Sequence, residues 1–149
     1  MEIWEFFLRV SAALLSGVLI GIEREIRNKN AGLKTNALVA LGAAVFVVIS
    51  VQFREAPGVD ITRVLGQVVT GIGFIGAGVI LHKGTTVRGL TTAATIWCSA
   101  GAGCLAAVGF YEELAVLTVM IIFVNVIFGA VDNLINKKLD RDPKNRVED

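Results

Sequence analysis

Residues 114–131, LAVLTVMIIFVNVIFGAV, carry no charged side chain and decide the class of fold. A helix of about 20 mostly apolar residues crosses the hydrocarbon core of a bilayer. Hydrophobic residues make up 54% of the 149 and the mean hydropathy is +0.70, which is above the usual range of soluble domains. Four similar stretches precede this one, so the predicted transmembrane spans are residues 4–22, 36–53, 64–82, 90–110 and 114–131.

The sequence therefore predicts an all-α membrane protein with one domain, a five-helix bundle over residues 1–135, and a short charged tail over residues 136–149. Lys and Arg are concentrated after the first span, after the third span and in the tail, whereas the other two connections hold only Arg54 and, next to the start of the third span, Arg63. Short cytoplasmic loops are enriched in Lys and Arg. We therefore expect the N-terminus outside and the C-terminus in the cytoplasm.

The third span contains GIGFIGAG, residues 71–78, which fits the glycine spacing of a dinucleotide-binding loop. That loop requires a preceding strand and an acidic residue about 20 positions later, but no Asp or Glu occurs from Ile61 to Tyr111. Close helix packing is the favoured interpretation, because small residues allow helix backbones to approach in lipid. An unwound segment that offers carbonyl oxygens to an ion is the alternative.

Small residues recur at helical spacing on three spans, which predicts a tight bundle and self-association, with a symmetric dimer as the simplest assembly. The candidate packing glycines are Gly17, Gly21, Gly66, Gly71, Gly73, Gly76, Gly78 and Gly103.

Polar groups within spans are the candidate functional residues, because ionisable groups in a membrane are costly. Two groups are predicted near the outer side, on helix faces that turn inward: Arg9 on the first span, and Arg63 with its neighbours on the third. Snorkelling of the two arginines to the outer headgroups is the alternative. A second set lies near the cytoplasmic side, where solvated charges and helix-to-helix hydrogen bonds are the plainer alternatives. The candidates are Arg9, Glu23, Arg24, Arg63, Gln67, Thr70, Thr91, Thr92, Thr95, Trp97 and Cys98.

No Asp or Glu lies in the middle of a predicted span, and this disfavours a cation pump on physical grounds. No side chain within a span is placed to activate Cys98 or Thr92 as a nucleophile, so we expect no enzyme activity. The sequence predicts no bound cofactor, and it leaves open whether magnesium binds. An even balance of charge gives no reason to expect nucleic-acid binding.

Four segments resemble the MgtC/SapB family of bacterial membrane proteins: GVLIGIERE (17–25), AGLKTNALVALGAAVF (31–46), QVVTGIGFIGAGVI (67–80) and RGLTTAATIWCSAG (88–101). The resemblance implies a multi-pass protein of the inner membrane that supports growth in low magnesium and, in pathogens, virulence. It assigns functional importance to Glu23 and Cys98. A family asparagine is Thr91 here, and the soluble domain that follows the fifth helix in well-known members is expected to be missing.

Two functions remain open from the sequence. The first is a regulator that modulates another membrane complex, such as a magnesium pump or the F-type ATP synthase, as the resemblance implies. The alternative is a transporter or channel for magnesium or another ion, with Glu23 at the cytoplasmic mouth.

Overall fold

In a computed structural model, residues 1–84 and 86–139 are described, and these residues are mostly helical. Within them, five helices are long and apolar enough to cross a membrane, which confirms the predicted number of spans. Their orientation across the membrane stays a prediction. The helices are α1 (Ile3–Ile26), α2 (Leu33–Gln52), α3 (Ile61–Gly78), α4 (Leu90–Val108) and α5 (Tyr111–Leu139).

A short antiparallel hairpin joins α3 to α4, and the prediction that the third span reaches His82 is wrong. Strands β1 (Leu81–Lys83) and β2 (Thr86–Arg88) pair with Leu81 opposite Arg88 and His82 opposite Val87. Gly84, in the turn, has a φ of +60°, which glycine adopts at little cost. Hydropathy alone did not separate the apolar residues of this strand from those of the helix before it.

Other boundaries differ by a few residues, and in each case local chemistry explains the difference. The first helix continues through the charged residues Glu23–Glu25, which are good helix formers, and ends at Ile26. The fourth helix ends earlier than expected because Gly109, with a φ of +84°, is its C-cap. The last helix runs to Leu139, and the rest of the predicted tail, residues 140–149, lies outside the described part of the chain.

The core is formed by α1, α2 and α4, which approach closely through small residues. A methyl group added at Gly17 would lie 2.6 Å from the carbonyl oxygen of Asn36, and one added at Gly103 would overlap the carbonyl oxygen of Ala40. Both helices therefore contact α2 almost backbone to backbone. Buried around these contacts are Ala13, Ala44, Val47, Val48, Ala102, Ala106 and Ala107.

The third helix lies at the edge of this core, against α4 and α2, and among its residues only Gly76 is buried. It is helical throughout GIGFIGAG, so the unwound segment considered above is not observed. Only Gly76 has a packing partner, Ala93 of α4 at 3.6 Å. Among residues 1–84 and 86–139, no atom lies within 4 Å of a methyl group added at Gly66, Gly71, Gly73 or Gly78.

Candidate functional site at the basic end of the bundle

One end of the bundle collects the basic segment after α1, the hairpin and the last turns of α5. We call it the basic end; its defining residues are 23–34, 78–84, 86–95 and 125–135. The predicted residues Glu23, Arg24, Thr91, Thr92 and Thr95 all lie there. The structure thus brings together five of the eleven candidates.

Arg24 connects the first helix to the fourth at this end. Its side chain is only 2% exposed, and its Nη2 donates a hydrogen bond of 2.8 Å to Oγ1 of Thr92. The guanidinium Nε has no acceptor among the described residues. A buried guanidinium keeps its charge, so this cation requires compensation by nearby dipoles or anions.

Glu23, the residue to which the family resemblance draws attention, is buried beside Arg24 but contacts a different partner. Its Oε1 lies 2.9 Å from Nε of Arg27, an ion pair one helical turn along α1. Neither carboxylate oxygen accepts a hydrogen bond from the described residues. Glu25 has a structural role, because its Oε2 accepts a hydrogen bond from the backbone N–H of Leu33.

Asn36 is an additional polar residue that the sequence reasoning did not single out. It is 0% exposed, and its Nδ2 donates to the carbonyl oxygens of Ala31 and Gly32, both at 2.9 Å. Its Oδ1 accepts from the hydroxyl of Ser99, which also contacts the carbonyl of Thr95 at 3.0 Å. A lone amide in an apolar span was the available signal.

Asn125 extends this buried polar chain to α5. Its Oδ1 lies 3.4 Å from the hydroxyl of Thr95, which donates more closely to the carbonyl of Thr91 at 2.9 Å. Its Nδ2 has no acceptor among the described residues, although the side chain is only 9% exposed. The amide donor is therefore available for a partner from outside the bundle.

A cavity of about 590 Å³ opens at the basic end, between α1, α4 and α5. We call it the basic-end cavity; it is lined by Arg24, Asn28, Lys29, Asn30, Val87, Gly89, Leu90, Thr91, Thr92, Val124, Asn125, Phe128, Gly129 and Asp132. Within the described residues, no group of three or more His, Cys, Asp or Glu side chains is arranged to hold a metal ion.

The remaining candidate residues lie elsewhere. Arg9, near the opposite end, donates to the carbonyl of Ala107 and pairs with Glu5. Arg63, Gln67 and Thr70 are exposed on α3, so the expectation that their face turns inward is wrong within this chain. On α4, Trp97 is exposed and Cys98 is partly buried.

The sequence was compared with families and with known proteins. The profile of the MgtC family matches residues 10–134. Protein MgtC of Salmonella typhimurium strain LT2 is 46% identical over 138 residues, which cover 92% of this chain and 58% of the relative. Protein MgtC of Brucella abortus strain 2308 is 52% identical over 120 residues, 79% of this chain and 49% of the relative.

An uncharacterised protein of Synechocystis is 44% identical over 136 residues, which cover 91% of this chain and 57% of that protein. The chain thus spans about half the length of these relatives. No solved structure matches it.

Proposed function

The chain belongs to the MgtC family, and on that premise we propose that it is a multi-pass protein of the bacterial inner membrane that supports magnesium homeostasis by modulating another membrane complex. In this proposal it catalyses no reaction and needs no cofactor. A magnesium pump or the F-type ATP synthase is the partner, and in a pathogen the same activity contributes to virulence.

The packed interior of the bundle is the observation that favours regulation over transport. The basic-end cavity shares no lining residue with a second cavity, of about 230 Å³, at the opposite end beside Glu5 and Arg9. Between the two, Ala13 and Ile20 are 0% exposed, and the hydroxyls of Ser16 and Thr118 share a hydrogen bond of 2.6 Å. An ion crossing here would have to displace closely packed helices.

The exposed face of α3 is the surface that we assign to the partner complex. Four of the five glycines of α3, all except Gly76, have no packing partner among the described residues, and helices associate in lipid through such small residues. The groove between α2 and α3 has a volume of about 590 Å³, with walls formed mainly by apolar residues such as Leu38, Phe46 and Ile72. A transmembrane helix of another protein fits the chemistry of this groove.

Transport remains the second candidate, since a cavity opens at each end of the bundle and the buried carboxylate of Glu23, whose Oε2 has no donor among the described residues, is a group to which a cation can bind. Purified protein in liposomes distinguishes the two functions. We expect no magnesium flux above that of protein-free liposomes. Saturable flux that disappears in Glu23→Gln would overturn the regulatory proposal.

Photo-crosslinking in native membranes tests the proposed docking face. A photoreactive amino acid at Gly71 of α3 should form an adduct with a subunit of another membrane complex. The same amino acid at Val119, an exposed position of α5, is the matched control and should not form that adduct. An adduct only with a second copy of this chain would show the predicted dimer and reject the partner complex at this face.

A further inference from the structure

The lining of the basic-end cavity favours an anion, and the proposed regulatory role does not explain this preference. Two of its lining side chains are more than nine-tenths buried and still have unused hydrogen-bond donors: Nε of Arg24 and Nδ2 of Asn125. Buried donors without an acceptor are uncommon in proteins because their desolvation is not compensated. Both donors require an acceptor, and a bound anion is one way to supply it.

The first turn of α4 adds backbone donors to the same cavity. Gly89, its N-cap, has a φ of +93° and offers no side-chain acceptor to the first amides of the helix. Leu90, Thr91 and Thr92 follow it and also line the cavity. The start of a helix carries free N–H groups and the positive end of the helix dipole, which together favour an anion.

The position of Gly89 fixes this helix start against the end of α3. A methyl group added at Gly89 would overlap the carbonyl oxygen of Val79, so no larger residue fits while the two segments remain in contact. The first amides of α4 are therefore held beside Arg24, which contacts the helix through Thr92. Such preorganisation reduces the entropy that a ligand must lose on binding.

The charges around the cavity also favour an anion. Arg24 and Lys29 contribute two positive charges to the lining, and Asp132 contributes one negative charge on an exposed side chain. The carboxylate of Glu23 pairs with Arg27 and also offsets part of the charge of Arg24, but it does not line the cavity. A magnesium ion would meet the buried guanidinium of Arg24 and the unpaired amide donor of Asn125 here, and both disfavour a cation.

We propose that the basic-end cavity binds a phosphoryl group, with Arg24, Asn125 and the first amides of α4 as its donors. The group has several acceptor oxygens and a negative charge, as these donors require. Two sources supply it, the headgroup of an anionic phospholipid and a soluble phosphate compound. This assignment rests on the geometry of the cavity and does not depend on which membrane complex the protein regulates.

Two substitutions test the site without removing the contacts that hold the fold. Thr91→Asp places a carboxylate on an exposed side chain in the first turn of α4, where an acid favours the helix but repels an anion. Asn125→Asp keeps the size of the side chain and replaces the unused donor with an acceptor. Thr62→Asp, at the equivalent second position of α3 at the other end of the bundle, is the matched control.

The full chain is titrated with sodium phosphate in neutral detergent by calorimetry, against sodium chloride of the same ionic strength. In parallel, its thermal unfolding is compared in nanodiscs of phosphatidylcholine with and without phosphatidylglycerol. We expect at least one of the two phosphoryl sources to bind the wild-type chain, and Thr91→Asp and Asn125→Asp to weaken that binding about tenfold or more, with Thr62→Asp unchanged.

A response to phosphatidylglycerol alone identifies a lipid headgroup as the ligand, and a response to phosphate in detergent identifies a soluble compound. Either response supports the site if the two cavity variants reduce it. No response to either probe overturns the proposal. So does a response that Thr91→Asp and Asn125→Asp leave unchanged while both variants unfold at the wild-type temperature or above.

Discussion

The hydroxyl of Ser99 on α4 donates a hydrogen bond of 2.9 Å to Oδ1 of Asn36 on α2, and both side chains are 0% exposed. The other end of the same amide donates to the carbonyl oxygens of Ala31 and Gly32, at the start of α2. One side chain thus fixes the entry of a helix and its contact with a neighbour. Where helices associate without a strong hydrophobic drive, such a bond specifies their register.

Replacement of Asn36 by Ala should lower the free energy of unfolding by about 1–3 kcal/mol, because buried carbonyl and hydroxyl groups lose their partner. Ser99→Ala should have a smaller effect, and the coupling energy of the double mutant should be about 0.6 kcal/mol. Equilibrium unfolding in mixed detergent measures all three. Leu38→Ala, at an exposed position of the same helix, is the control. An Asn36→Ala protein as stable as the control would contradict this role.

A methyl group at Gly103 should separate α4 from α2, because it would overlap the carbonyl oxygen of Ala40. We expect Gly103→Ala to destabilise the bundle by about 1–3 kcal/mol, as overpacking does elsewhere. Gly101→Ala, two positions away with no atom within 4 Å of the added methyl group, should be neutral or slightly stabilising. Thermal unfolding in detergent compares the two, and equal midpoints would show that the helices are not in close contact.

Five spans follow from the sequence because hydropathy reports on length and composition, and both are local properties. Tertiary contact is not local, which is why only Gly76 of the predicted third-span glycines packs against another helix among the described residues. Gly17, Gly73 and Gly103 occur in similar apolar surroundings, yet only Gly17 and Gly103 approach another helix within this chain. A helix that packs against Gly73 would therefore have to belong to another protein or to a second copy of this chain.

The candidate site was only partly predictable, for a related reason. Arg24 and Thr92 were selected individually, but their hydrogen bond joins residues 68 positions apart and no sequence period reports it. Asn36 was not predicted because it is the first residue of a predicted span, where an amide can face solvent. Its importance comes from complete burial, which depends on three helices at once.

The start of α3 should respond to acid through Asp60, its N-cap. The carboxylate accepts hydrogen bonds from the hydroxyl and the backbone N–H of Thr62, and these bonds hold the pKa of Asp60 below its usual value of about 3.9. Its stabilising effect is therefore complete above the unfolded pKa and is lost as the pH falls through the lower folded pKa. The amide resonance of Thr62 should shift with a midpoint below 3.9 and should not titrate in Asp60→Asn, whose amide caps at every pH.

Cysteine accessibility tests the predicted orientation in the membrane. In a chain with Cys98→Ala and Cys104→Ala, Lys29→Cys probes the basic end and Glu55→Cys probes the opposite end; both native side chains are exposed. If the basic segments are cytoplasmic, a membrane-impermeant maleimide should label only Glu55→Cys in intact cells. Labelling of Lys29→Cys alone would invert the topology.

Neutralisation of Glu23 should impair the function of the protein without impairing its folding. Glu23→Gln keeps the size of the side chain, and Arg27, its ion-pair partner, is partly exposed and can turn to solvent. We expect the variant to reach the membrane in normal amount but to fail to support growth in low magnesium. Glu55→Gln, which removes the same charge from an exposed position at the other end, should support growth normally. Normal growth with Glu23→Gln would remove this carboxylate from the proposed function.

The position of α3 outside the core sets an order for assembly during synthesis. Since α4 contacts both α1 and α2, the first two helices can pair as soon as they enter the bilayer, but the three-helix core closes only after α4 has been inserted. Until then α3, which leaves the translocon before α4, remains in lipid without its contacts to α4. When a ribosome pauses within residues 61–89, Asn36 of the nascent chain therefore has not yet gained its hydrogen bond from Ser99.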